Sequence, residues 1–98
     1  MGTSLEQLIR NKRDDILDIA RRYGAKNVRV FGSVARGESG QESDVDFLVE
    51  MERGRSLFDH VALLDDLRQL LGRNVDVVTE RSIYWLLRRR ILKEARPV

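Results

Sequence analysis

Three aspartates and a glycine-serine pair are the residues of this chain whose types and spacing could do chemistry. Gly32-Ser33 closes the apolar run Val28-Arg29-Val30-Phe31, and ten residues, 34–43, separate Ser33 from Asp44-Val45-Asp46, which opens a second apolar run through Glu50. A strand turns successive side chains to opposite faces, so Asp44 and Asp46 project from one face, roughly 7 Å apart along the chain. Two carboxylates held that way can share divalent cations. They stand beside Phe47, Leu48 and Val49, in a segment that otherwise reads as buried strand. An unpaired carboxylate there is costly unless ionic partners offset it, and a bound cation is such a partner. Asp76 interrupts Val75, Val77 and Val78 in a third apolar run, which makes it the candidate for a third carboxylate on a neighbouring strand.

Gly32 lets the backbone approach a phosphate closely, and Ser33 offers a hydroxyl and a free amide at a helix start, where the dipole favours anions. Arg36, about one helical turn on, could meet a β or γ phosphate through its guanidinium fork. A phosphate cradle beside paired carboxylates suits nucleotidyl transfer. A hydroxyl attacks the α-phosphorus of a nucleoside triphosphate, pyrophosphate leaves, and both oxygens carry charge as the bond exchanges. Two metal ions roughly 3.5–4 Å apart stabilise those oxygens together. Hard oxygen ligands suit magnesium, which keeps several waters and takes few carboxylates. Asp44 and Asp46 fit that role, while Asp76 would bind the ion that activates the hydroxyl or accept its proton.

The elements that must position these groups are legible in the periodicity. Ser4 and Gln7 read as a capping box, and Leu5, Leu8, Ile9, Ile16, Ile19, Ala20 and Tyr23 recur at helical spacing, predicting one helix over 4–23. After Gly24, Val28 to Phe31 reads as a strand. Ser33 to Arg36 reads as the first turn of a short helix and Glu38 to Ser43 as a flexible loop. Ser56 caps a helix carrying Leu57, Phe58, Val61, Leu64, Leu67 and Leu71, which stops at Gly72 before a strand from Asn74 to Val78. A last helix occupies about Ser82 to Ala95. The order helix, strand, short helix, strand, helix, strand, helix predicts an α/β (α+β) fold, a small mixed sheet flanked by helices.

The 98 residues allow one domain, 1–98, with a modest core and no linker. The net charge of +2 arises from 18 basic and 16 acidic residues, a balance that argues against a dedicated nucleic-acid binder. The absence of cysteine excludes disulfides and thiolate metal sites. No secretory signal and no membrane span are apparent, so a soluble, cytoplasmic protein is expected.

The motifs Val30-Phe31-Gly32-Ser33-Val34-Ala35-Arg36-Gly37, Ser43-Asp44-Val45-Asp46-Phe47-Leu48-Val49 and Val75-Asp76-Val77-Val78 resemble those of the minimal nucleotidyltransferases of the DNA polymerase β-like superfamily. The resemblance covers nearly the whole chain, and Ile91 to Ala95 is similar to the family's last helix. It implies two magnesium ions held by Asp44, Asp46 and Asp76, with ATP as the nucleoside triphosphate. It also implies an antitoxin whose partner is an all-helical HEPN-domain toxin, in a hetero-oligomer. Some such antitoxins transfer AMP to a tyrosine of that toxin and so silence it. The chain is expected to lack the additional domain with which larger relatives hold an acceptor, which favours a protein acceptor that brings its own binding surface. The alternatives are a module that neutralises its partner by occlusion alone, or nucleotidyl transfer to RNA or a small molecule.

Other residues have plainer readings. Arg81, Arg88, Arg89, Arg90, Lys93 and Arg96 make the last helix basic, which complements its dipole on a solvated face or meets an acidic partner surface. Tyr84 and Trp85 are expected to pack with Leu87 and Ile91; exposure of both would instead mark a partner interface. His60 reads as a surface residue, and Glu38 and Glu42 as solvated loop carboxylates.

Overall fold

Helix formation begins where expected: Ser4 Oγ accepts the Gln7 N–H at 3.1 Å and opens α1 (Leu5–Asn11). The computed structural model describes residues 4–38 and 44–98, so Glu42 and all but the first residue of the expected 38–43 loop lie outside the described residues. The single helix predicted over 4–23 is two. Lys12, at φ −102° and ψ 15°, leaves helical geometry, and α2 (Arg13–Arg22) follows it. Leu5 and Ile9 of α1 and Ile16 and Ala20 of α2 nevertheless enter one core.

Four strands form a mixed sheet. β1 (Ala25–Phe31) and β2 (Val45–Met51) pair antiparallel, with Val30 opposite Phe47 and Phe31 opposite Asp46. α3 (Leu57–Leu71) then crosses over to β3 (Val75–Thr79), which runs parallel to β2. Such a crossover is what a parallel neighbour requires. Ser56 N–H donates to the Asp59 carboxylate at 2.9 Å, starting α3 where the sequence places it. The alternate residues Val28, Val30, Val45, Phe47, Val49, Val75 and Val77 pack with Ile16, Ala20, Leu63, Leu67 and Leu71 as the core. The intervening positions, among them Arg29, Phe31, Asp46 and Asp76, point to the other face.

Three local features differ from expectation. Residues 32–37 make a single turn and no helix. Arg36 N–H donates to the Gly32 carbonyl at 3.1 Å and Gly37 N–H to Val34 at 3.2 Å, after which Gly37, at φ +71°, stops the winding. At the other end of the chain, Ser82 Oγ accepts the Thr79 N–H at 2.9 Å and holds residues 80–82 in a tight 3₁₀ turn. α4 (Trp85–Glu94) therefore begins later than predicted. Beyond it Arg96–Pro97 forms a short strand, β4, on the outer edge of β1, giving the order β3-β2-β1-β4. Proline is tolerated at such an edge.

Tyr84 and Trp85 do not pack as expected. They are 59% and 72% exposed, with ring centroids 6.1 Å apart and planes tilted by 54°. Tyr84, Trp85, Leu86 and Leu87 are consecutive, and a helix turns by about 100° per residue, so four neighbours cannot share one buried face. No residue of α4 is buried. Ion pairs tie this helix to the sheet: Arg88 to Glu80 at 3.5 Å, with Glu80 in turn bound by Arg29 at 3.2 Å, and Glu94 to Arg36 at 2.8 Å. Among the described residues no helix is long and apolar enough to cross a membrane.

Candidate functional site

Asp46 lies on the central strand β2, directly opposite Phe31 of β1 and Asp76 of β3. The parallel register sets Asp46 and Asp76 side by side on strands about 4.8 Å apart. Asp44 precedes β2 by one residue, and Asp44 and Asp76 are exposed while Asp46 is half-buried. Burial raises the Asp46 pKa above the ordinary carboxylate value, and the negative charges of Asp76 and then Asp44 push it the same way. Arg36 pulls in the opposite direction. Asp46 thus feels both of the other aspartates.

Gly32 joins the same site. It has φ +73°, and a Cβ built there would stand 2.6 Å from Asp46 Oδ2. Real Cβ atoms do not come that close, so the absence of a side chain is what admits the Asp46 carboxylate beside the turn. Ser33 follows on the partly exposed crest.

Arg36 is close enough to act on Asp46, yet it is already engaged. Its Nε donates to Glu38 at 3.1 Å and its Nη1 to Glu94 at 2.8 Å. Those two carboxylates, Glu38 foremost, raise its pKa. Sequence reasoning gave Glu94 no role; four residues after Arg90, it reads as a local helix pair, and that contact is present at 3.9 Å. Arg36 and Gly37 also line a cavity of about 370 Å³ with Arg10, Arg13 and Arg96. Val30 lines it too, which places it on the core face of β1, away from Asp46.

The donor set fits a divalent cation in type: hard carboxylate oxygens whose charges accumulate around Asp46, beside a glycine that leaves room. Among the described residues, however, no three acidic or histidine side chains converge closely enough to hold a metal together. Asp44, Asp46 and Asp76 adjoin without closing a cage.

The family model described as the nucleotidyltransferase domain matches residues 13–98, a range that contains the turn and all three aspartates. The chain belongs to this family. A Methanocaldococcus jannaschii protein named as a candidate protein adenylyltransferase is 48% identical to this nucleotidyltransferase over 80 residues, 82% of this chain and 86% of the relative. Protein adenylyltransferase MntA of Thermococcus cleftensis is 38% identical over 77 residues, covering 79% of this chain and 78% of its own. Among solved structures, one described as a candidate minimal nucleotidyltransferase matches with a TM-score of 0.86 at 48% identity, over 99% of this chain and 98% of that one. A toxin-antitoxin crystallised with AMP-PNP matches with a TM-score of 0.72 over 86% of this chain and 69% of that one. Its identity is 22%, and it shows a shared fold. The small mixed sheet flanked by helices is therefore the nucleotidyltransferase architecture that the motifs implied.

Proposed function

We infer that the protein transfers AMP from ATP to a hydroxyl of a partner toxin and acts as its antitoxin. The observation that supports this reading is the close approach of Gly32 to Asp46, which sets the proposed phosphate turn against the proposed metal carboxylates. The names of the two relatives support protein adenylylation, and the toxin-antitoxin structure supports the kind of partner. The acceptor is a tyrosine of a HEPN-domain toxin, and the reaction belongs to the ATP-rich cytoplasm.

Each residue has a role in that reaction. The Gly32-Ser33 turn binds the β and γ phosphates through its amides and the Ser33 hydroxyl. Asp44, Asp46 and Asp76 are the residues that would hold two magnesium ions. When bound, the ions supply Lewis-acid stabilisation to the attacking and leaving oxygens. The acceptor oxygen bonds to the α-phosphorus as the bond to pyrophosphate breaks. Asp76, beside Asp46 and open to solvent, takes the acceptor's proton. Arg36 steadies the leaving pyrophosphate after exchanging Glu94 for phosphate.

Purified protein and its Asp46→Asn variant, incubated with magnesium and ATP labelled at the α or γ position in lysate from its own cells, test this. Label from the α position alone, on one protein band and only with the intact aspartate, is expected. Label from the γ position would mean phosphoryl transfer and refute the reading. Neutralisation by occlusion is a second reading, favoured by the engagement of Arg36 with Glu38 and Glu94 and by the open arrangement of the aspartates. It predicts that Asp46→Asn still silences the toxin.

A further inference from the structure

The first turn of α4 and the residue before it expose Tyr84, Trp85, Leu86 and Leu87 together, Leu86 and Leu87 at 58% and 47%. An apolar cluster of that size, unpartnered among the described residues, marks an interaction surface more often than a solvated face. Its surroundings are cationic. Arg81 precedes it, and Arg88, Arg89, Arg90, Lys93 and Arg96 follow, against the single acid Glu94 between residues 81 and 98. Arg88 and Arg90 are paired with Glu80 and Glu94. Arg81, Arg89, Lys93 and Arg96 make no ion pair among the described residues.

We propose that this turn of α4 is a docking surface for a partner protein that presents an apolar helix face flanked by acidic side chains. Charge complementarity selects that occupant. A second copy of this chain would set arginine against arginine, and like charges brought together across an interface are costly. A nucleic acid would meet the arginines but offers nothing to bury Leu86 and Leu87. The two rings, tilted by 54° against each other, also do not form a flat platform for stacked bases. An apolar helix face centred on Leu86 buries that side chain with the adjoining sides of Trp85 and Leu87, and its acidic flanks meet the unpaired cations.

The position of α4 gives the docking a consequence. Its far end holds Glu94, which pairs with Arg36 beside Asp46. A partner seated on Trp85 therefore lies along the helix that leads to the aspartates. In this respect the proposal rests on the adenylyl-transfer reading and names the surface that brings the acceptor to the site.

Trp85 is the only tryptophan, so its fluorescence reports on the turn directly. The whole protein is titrated with a helical peptide bearing leucine on one face and glutamate on its flanks, with the same peptide carrying lysine for glutamate, and with a single-stranded RNA oligonucleotide. The acidic peptide is expected to shift Trp85 emission to the blue, with an affinity that falls as salt rises. Leu86→Glu combined with Leu87→Glu should weaken that affinity by about tenfold or more. The same circular dichroism for that variant shows that the fold is kept. No shift with the acidic peptide, an equal shift with the lysine peptide, or a shift with RNA overturns the proposal. A blue shift that grows with protein concentration alone overturns it in favour of a second copy. Asp46→Asn should bind the peptide normally, so loss of transfer and loss of docking are read separately.

Discussion

Replacing Gly32 by alanine separates two costs that the structure lets one calculate. The first is backbone strain. At φ +73° an L-residue pays roughly 1–2 kcal/mol for the left-handed conformation. For a domain of this size that amounts to a fall in Tm of about 4–16 °C. Gly72, at φ +64° with nothing within 4 Å of a built Cβ, incurs the same strain and no crowding. Gly72→Ala is therefore the control. The second cost belongs to Gly32 alone: its new Cβ would meet Asp46 Oδ2 at 2.6 Å, and the carboxylate would have to retreat by about 0.8 Å to reach the 3.4 Å of ordinary contact. A displacement near 1 Å in a reacting constellation can cost about a hundredfold in rate. Both variants should lose similar stability in thermal melts, while incorporation of α-label falls roughly a hundredfold in Gly32→Ala only. Equal transfer by the two variants would refute the claim that this close approach positions Asp46 for chemistry.

Four other outcomes follow from the structure. Because burial and the neighbouring carboxylates raise the Asp46 pKa in the fold above its ordinary 3.8, ionising it costs more folded than unfolded. Stability is then lost as pH rises from the unfolded pKa through the folded one, so Asp46→Asn in EDTA should melt higher than the parent at pH 7 and equally below pH 3.8; a lower melt at pH 7 contradicts this. Magnesium should raise the melting point of the parent and not of the variant. Glu94→Gln, which releases Arg36, should lower the KM for ATP, and Arg36→Ala should raise it; no change in either variant would remove Arg36 from the nucleotide site. Leu63→Ala, at a fully buried position of α3, should cost about 2–5 kcal/mol in denaturant unfolding, and a loss below 1 kcal/mol would show that the core there collapses to fill the space.

The parts of the molecule that could be read from sequence are those governed by burial. Alternation in β1 and β3, and at Asp46 between Val45 and Phe47 of β2, reports which side chains enter the core, and from it the common face of Asp46 and Asp76 follows once α3 makes β2 and β3 parallel neighbours. The Lys12 bend was invisible for a physical reason: Leu5, Ile9, Ile16 and Ala20 keep helical spacing across it, so the apolar pattern is the same for one helix or two. β4 has two residues, one a proline, and exists because β1 offers it an edge. Arg36 and Glu94 meet across 58 positions, a separation that local spacing does not reveal, while Arg90 stands four residues from the same glutamate.

These last features, with the misjudged exposure of Trp85, cluster on α4 and its flanks. That helix buries no residue, so the core exerts no selection on its pattern, and ion pairs at Glu80 and Arg36 fix its place instead. Hydrophobic periodicity carries information only where a hydrophobic face is satisfied within the chain. The element least legible in the sequence is thus one that leaves consecutive apolar residues exposed. The same element reaches Arg36, beside Asp46, through Glu94, so the proposed docking surface and the proposed nucleotide site lie at the two ends of one helix.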